Sequence, residues 1–236
     1  VREVKAIYLV AGAIFALSVL YLSGAGFAAD IPESGKALIV APVVNGDQSA
    51  LQKALDMRAY LLSRGWSDSD IVFLTGGLSE PFVDGPATPE RVMEELDNMA
   101  TYADGDTYVQ INIYDHAHGT NGYLAFQLEG GDLSVDTFVQ KVNSITCDWM
   151  FLELSTNYAE NVANGITKDS HIIMCSHAEN QVTEFNYFNI VNGLTNSEAD
   201  TNGDGSVSLE EAFYFEYNVV TDLSDGEQTP VMYDNA

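Results

Sequence analysis

The side chains best suited to chemistry lie in the run Y-D-H-A-H-G-T-N-G, Tyr114 to Gly122, which follows V-Q-I-N-I. The imidazoles of His116 and His118 can take or give a proton near neutral pH, and a neighbouring acid such as Asp115 can orient one of them. Gly119 and Gly122 allow tight backbone turns beside them. Taken alone, the same stretch reads equally well as a polar hairpin loop with two solvated histidines. Nucleophiles are scarce. Cys147 and Cys175 are the two thiols, and Ser155 and Thr156 close a later apolar run where His118 could serve as their base. The four histidines and two cysteines show no zinc-ligand spacing.

A second constellation is more specific. The run D-T-N-G-D-G-S-V-S-L-E-E, Asp200 to Glu211, sets Asp200, Asn202, Asp204, the Ser206 carbonyl, Ser208 and Glu211 at the six ligand positions of an EF-hand loop, with Gly205 at its sharp turn. Hard oxygen donors at that spacing wrap a Ca2+ ion. A second loop of this kind is absent from the sequence, so the expectation is a structural calcium site rather than a paired sensor that opens a groove.

These residues need a frame, and the hydrophobic pattern supplies one. Ala37 to Val44, A-L-I-V-A-P-V-V, reads as a buried parallel strand, turned by Asn45-Gly46 into a helix capped by Asp47 and running to Gly65. Ile71 to Leu74 is a second strand. Thr88 and Pro89 open a second helix, and Val109 to Tyr114 is a third strand. Tyr123 to Leu128 with the Gly130-Gly131 turn reads as a hairpin excursion, and Val135 to Val142 as a helix. Trp149 to Leu154 and Ile172 to Cys175 are the fourth and fifth core strands, with a short helix from Tyr158 to Asn164 between them. Phe185 to Leu194 reads as a helix, and another leaves the calcium loop from Leu209 to about Tyr217. Alternating strands and helices imply a mainly parallel sheet flanked by helices, with right-handed crossovers. Titratable groups past the carboxyl ends of such strands sit where open α/β sheets place their sites.

Composition narrows the partners. The 236 residues carry 35 acids against 9 bases, a formal charge of −26, spread along the chain. Such a surface is repelled by nucleic acid and by anionic membranes, and it suits a salty medium or calcium binding. From Ala6 to Ala29 there is no charge, and Arg2 and Lys5 precede the run. Residues 1–30 therefore read as a secretory signal or as an uncleaved membrane anchor, leaving 31–236 as one exported domain, secreted or held at the cell surface. Any membrane association would be through that N-terminal segment.

The order of these motifs resembles the legumain-type cysteine peptidases and, more distantly, the caspases. His118-Gly119-Thr120-Asn121-Gly122 followed by Y-L-A-F is similar to the family's His-Gly pair, glycine-containing turn and apolar run after the third core strand. That register selects His118 over His116 as the catalytic histidine. M-F-L-E-L-S-T-N-Y-A, Met150 to Ala159, resembles the strand that ends in the family's cysteine nucleophile, and Asn157 stands in the cysteine position. The loop D-x-N-x-D-G-x-V-S looks like that of prokaryotic relatives bearing a calcium loop. The resemblance implies a caspase/legumain-like α/β fold, a peptide or protein ligand, and peptide-bond hydrolysis as the family reaction. An amide has no nucleophilic lone pair and no readily lost proton, so the chain is expected to be inactive as it stands, a pseudopeptidase or nucleophile-substituted form. The alternatives are an active hydrolase using Ser155 or Thr156, and a calcium-dependent extracellular binding or adhesion module.

Overall fold

The computed structural model describes residues 30–44, 48–120 and 123–235. The N-terminal apolar run, the Asn45-Gly46 turn with the Asp47 cap, and Asn121 and Gly122 lie outside the described residues.

The strands are β1 (Lys36–Val40), β2 (Ile71–Leu74), β3 (Tyr108–Tyr114), β4 (Ala117–Thr120), β5 (Tyr123–Leu128), β6 (Gly131–Ser134), β7 (Trp149–Ser155), β8 (His171–Cys175) and β9 (Val231–Asp234). The helices are α1 (Ser49–Ser63), α2 (Pro89–Tyr102), α3 (Val135–Ser144), α4 (Ala159–Ala163), α5 (Ile190–Leu194) and α6 (Leu209–Leu223). Six strands form one sheet in the order β2-β1-β3-β7-β8-β9, parallel except for β9. The protein is thus α/β with a mainly parallel sheet flanked by helices, as the pattern predicts. Strands β4, β5 and β6 make a separate antiparallel sheet.

Two apolar layers cover the main sheet. On one face Leu38, Val40, Ile111, Ile113, Leu152 and Leu154 meet α2, α3 and α4 together with the inner side of the small sheet. On the other, Ile39, Phe73, Phe151 and Met174 meet α1, α5 and α6. Burial on both sides explains the unbroken apolar run of β1. The exceptions fall on the second face. Gln110, Asn112 and Glu153 are completely buried there and hydrogen-bond to one another in a chain.

Local chemistry sets the ends of the elements. The Thr88 hydroxyl accepts from the Arg91 N–H and Pro89 occupies the first turn of α2. Ser208 and Glu211 cap α6 reciprocally. Helix α5 crosses α6 at Gly193, where a Cβ would come 2.4 Å from the Ala212 carbonyl oxygen. Only glycine permits that approach.

Several boundaries differ from the sequence reading. Strand β1 stops at Val40 instead of Val44: Ala41 donates one last bond to Leu74, and Pro42 has no N–H to continue. Only Ile190–Leu194 of the Phe185–Leu194 stretch is helical. Upstream, the Asn186 amide oxygen accepts from the Phe188 N–H, and that of Asn189 caps Val191, so side chains compete for the backbone. Helix α6 runs past Tyr217 to Leu223, because Glu216 and Val220 continue its buried stripe. Strand β6 is the return arm of the expected hairpin, whereas β4 and β9 are additions, four residues each and too short to announce themselves.

Candidate functional site

The site is built at the carboxyl ends of β3 and β7. Their pairing continues one residue past β3, where the Asp115 N–H donates to the Ser155 carbonyl at 3.2 Å. Thr156 follows, fully buried, and its hydroxyl accepts from the Ala117 N–H at 2.8 Å. That bond ties the first residue of β4 to the end of β7. It brings His118-Gly119 and Asn157 to one crest of the fold. A side chain added at Gly119 would lie 3.8 Å from the Tyr158 ring, the residue after Asn157.

His118 is in a strand, not in the polar loop the sequence suggests. It pairs with Ala125 of β5, is half exposed, and places its Nε2 3.2 Å from Asp132 on β6. A carboxylate in that position fixes the imidazole's orientation. His116 is exposed on the connection between β3 and β4.

Asn157 is held from the opposite side. Its side-chain oxygen accepts from the Thr183 N–H at 3.2 Å. The next residue, Tyr158, takes a left-handed conformation with φ 57°, and its N–H reaches Gln181. A bulky residue adopts that region at a cost, and such turns cluster at functional sites. The 181–183 segment is anchored in turn by His177, which bonds Ser176 through Nδ1 and the Thr183 hydroxyl through Nε2, each at 2.8 Å. Burial pushes the His177 pKa down to about 4, against bonds that favour its charge, so it stays neutral. His171 is buried as well, at the start of β8, the far end of the sheet.

Ser155, Thr156 and Cys175 are covered, and Cys147 is half-buried. Ser155 is 2% exposed and its hydroxyl accepts from Asn186 at 3.0 Å. Thr156 is occupied as described. Cys147 and Cys175 are free thiols without a disulfide. Burial raises both pKa values, most strongly in fully buried Cys175, which removes the thiolate that attack requires.

One acid organises the surrounding loops. Glu129, between β5 and β6, accepts from the N–H groups of Val43 and Ala87 at 3.0 Å and of Gly76 at 2.6 Å. It therefore staples the small sheet to the loops after β1 and β2 and to the approach to α2. Sequence reasoning missed it, since an acid in a Glu-Gly-Gly turn looks solvated.

It also missed a buried charged nest. Lys53 of α1 donates to the Asn186 carbonyl at 2.7 Å, beneath Glu153 of β7 and Glu216 of α6. The Tyr114 hydroxyl and Asn112 donate to one Glu153 oxygen, and the Asn189 N–H donates to one Glu216 oxygen. The second oxygen of each carboxyl is buried without a partner. Burial raises Glu216 to about 7 and lowers Lys53 to about 8. The signal was present: an acid inside W-M-F-L-E-L and amides inside V-Q-I-N-I.

The predicted calcium loop is wound by its own side chains. Asp200 accepts from the N–H groups of Gly203 and Gly205, and Asp204 from Ser206, with Gly203 and Gly205 at φ 75° and 92°. Ser206 hydrogen bonds and that from Asn202 hold the Asp204 carboxyl below its ordinary value. Ser208 serves as the helix cap. For Glu211, burial pushes upward, but bonds from Ser208, Thr201 and Asn202 outweigh it and leave the carboxyl lowered. Among the described residues no group of three or more carboxylate, imidazole or thiol side chains converges to hold a metal. Also among them, no helix is long and apolar enough to cross a membrane.

No family model matches the chain, and no curated protein matches it either. Solved structures share the fold. One is the crystal structure of protein GSU0716 from Geobacter sulfurreducens, a structural-genomics target, at TM-score 0.54 and 13% identity, covering 85% of this chain and 92% of that one. At that identity the likeness concerns the fold alone.

Proposed function

We propose that this is an exported domain of caspase/legumain-like fold which binds peptide segments at the crest between β4 and β7 and does not hydrolyse them. One observation carries the reading. Asn157, two residues past the end of β7, has its amide oxygen hydrogen-bonded to the Thr183 N–H, at the position where the family places a cysteine. The strand order, with a final antiparallel strand and a small sheet inserted after β3, supports the same assignment.

In the family reaction a thiolate attacks the peptide carbonyl, and the histidine carries its proton to the leaving amine. Here His118 keeps a carboxylate partner in Asp132, and Asn157 stands in the nucleophile position. Ser155 and Thr156 are both buried and hydrogen-bonded, which weighs against either as a substitute.

Calcium belongs to the same proposal. The six oxygen donors from Asp200 to Glu211, with Gly205 at the turn, fit a hard cation. Glu211 would exchange its N–H contacts for the ion, which would tie the loop to the start of α6.

The test is peptide-library cleavage by the chain and by its Asn157→Cys variant, in calcium and reducing agent. Cleavage by the variant alone, lost again when His118→Ala is added, is the expected result. Hydrolysis by the unaltered chain, or by neither protein, overturns the reading.

A further inference from the structure

Residues 183–189 run as irregular backbone from the crest to the head of α5. Their N–H groups find side chains, not a strand or a helix. Those of Thr183, Tyr187, Phe188 and Asn189 donate to the side chains of Asn157, Gln228, Asn186 and Glu216 in turn. At the middle, the Asn186 carbonyl accepts from Lys53, and the Asn186 amide donates to Ser155. This strap joins Asn157 at one end to the charged nest at the other. Segments held in this way open at lower cost than sheet or helix.

The nest that holds the strap is short of positive charge. Glu153 and Glu216 are both buried, each with one oxygen that has no hydrogen-bond partner. Lys53 of α1 is the cation acting on both. Two carboxylates beside one ammonium leave an unpaired buried charge, which a bound proton removes. Hydrogen bonds decide where that proton sits. Glu153 accepts from the Tyr114 hydroxyl and the Asn112 amide, which favour its ionised form, whereas Glu216 accepts from the Asn189 N–H. The proton belongs on Glu216.

We propose that Lys53, Glu153 and Glu216 form a proton-operated latch on the 183–189 strap, closed with the proton on Glu216 and released when it leaves. As regulation of the crest this rests on the peptide-binding reading above. Burial raises Glu216 to about 7, with Glu153 pushing the same way against the Asn189 N–H and Lys53. Loss of the proton to solvent sets a second negative charge beside Glu153. The strap is the least regular segment touching the nest, so it is the part that yields to admit water. Asp56 of α1, which bonds the Asn189 amide, Tyr114 of β3 and His177 complete the titratable groups around the nest. Burial and the Glu153 charge keep Tyr114 un-ionised, and His177 stays neutral, so neither changes charge near neutrality.

The experiment is amide hydrogen exchange of the full chain at pH 5.5 and 7.5, each rate divided by that of an unstructured peptide at the same pH. Protection at Tyr187, Phe188 and Asn189 is expected to fall by about tenfold or more at the higher pH. Glu216→Gln stays neutral and keeps an acceptor for the Asn189 N–H, so its protection should not change with pH. A carboxyl 13C titration of the unaltered chain gives a second measure should the variant fail to fold, and there Glu216 should titrate near neutrality. Protection that ignores pH, a fall that persists in Glu216→Gln, or a Glu216 carboxyl that titrates below pH 5 overturns the proposal. Exchange is read without a ligand, which separates the latch from the peptide reading. If the strap loosens but no member of a peptide library binds, the latch stands and the peptide reading falls. Peptides are expected to bind more tightly at pH 5.5, a difference that Glu216→Gln removes. Equal binding at both pH values while the strap loosens overturns the regulatory role.

Discussion

The side-chain oxygen of Asn157 accepts a hydrogen bond from the backbone N–H of Thr183, one of the contacts that join the end of β7 to the loop after β8. Asparagine does there what a thiol does poorly. Aspartate keeps an acceptor at the same atom, so Asn157→Asp should leave stability close to the original. Asn157→Ala removes the acceptor and should cost about 1 kcal/mol. Chemical denaturation of the two variants distinguishes a shaped contact from an incidental one.

The loop around Asp200 predicts a calcium-dependent melting midpoint. Millimolar Ca2+ should raise the midpoint, EDTA should lower it, and Mg2+ should substitute poorly because it demands a tighter octahedron. Glu211→Gln should remove most of the calcium response. It keeps one acceptor oxygen for Thr201 and Asn202 and loses the one that accepts from Ser208, so the calcium-induced shift, not the calcium-free midpoint, reports on the ion.

Glu216 predicts how stability varies with pH. Its carboxyl sits at about 7 in the fold against an ordinary 4.5, so the folded state prefers the protonated form. That contribution is complete below the lower value and is lost as pH rises through the upper one. Lys53, lowered from 10.5 to about 8, keeps its burial cost throughout that window and does not cancel the slope. Glu216→Gln should flatten the profile and stabilise the protein above neutrality by about 1–3 kcal/mol.

Glu129 predicts a different kind of damage. Glu129→Ala strands the N–H groups of Val43, Gly76 and Ala87 and should cost about 2–4 kcal/mol if water reaches only some of them. Hydrogen exchange would be expected to speed up at those three amides before the core strands respond.

How far the sequence could be read depended on where each residue finds its partners. Ile71–Leu74 and the Thr88-Pro89 helix start were legible because their signals are local: an apolar tetrad, a cap and a proline. The alignment of His118 with Asn157 was legible as an order of motifs. The bond from Ala117 to Thr156 that enforces it spans 39 residues and left no pattern to read. Glu153 looked like an isolated flaw in a strand because its partners Asn112 and Tyr114 belong to β3. Phe185 to Leu194 misled for the opposite reason. Its apolar spacing suits a helix, but Asn186 and Asn189 turn their side chains onto the backbone.

Gly193 has a mechanical consequence. With no side chain between α5 and the Ala212 backbone, the two helices have no soft layer to absorb a displacement. Helix α6 begins at the Asp200 loop and carries Glu216, whose carboxyl grips the N–H of Asn189 at the head of α5. The pair thus behaves as a stiff lever lying across the sheet. A displacement of the Asp200 end of α6 would be expected to reach Asn189, three residues from the Asn186 that steadies Ser155.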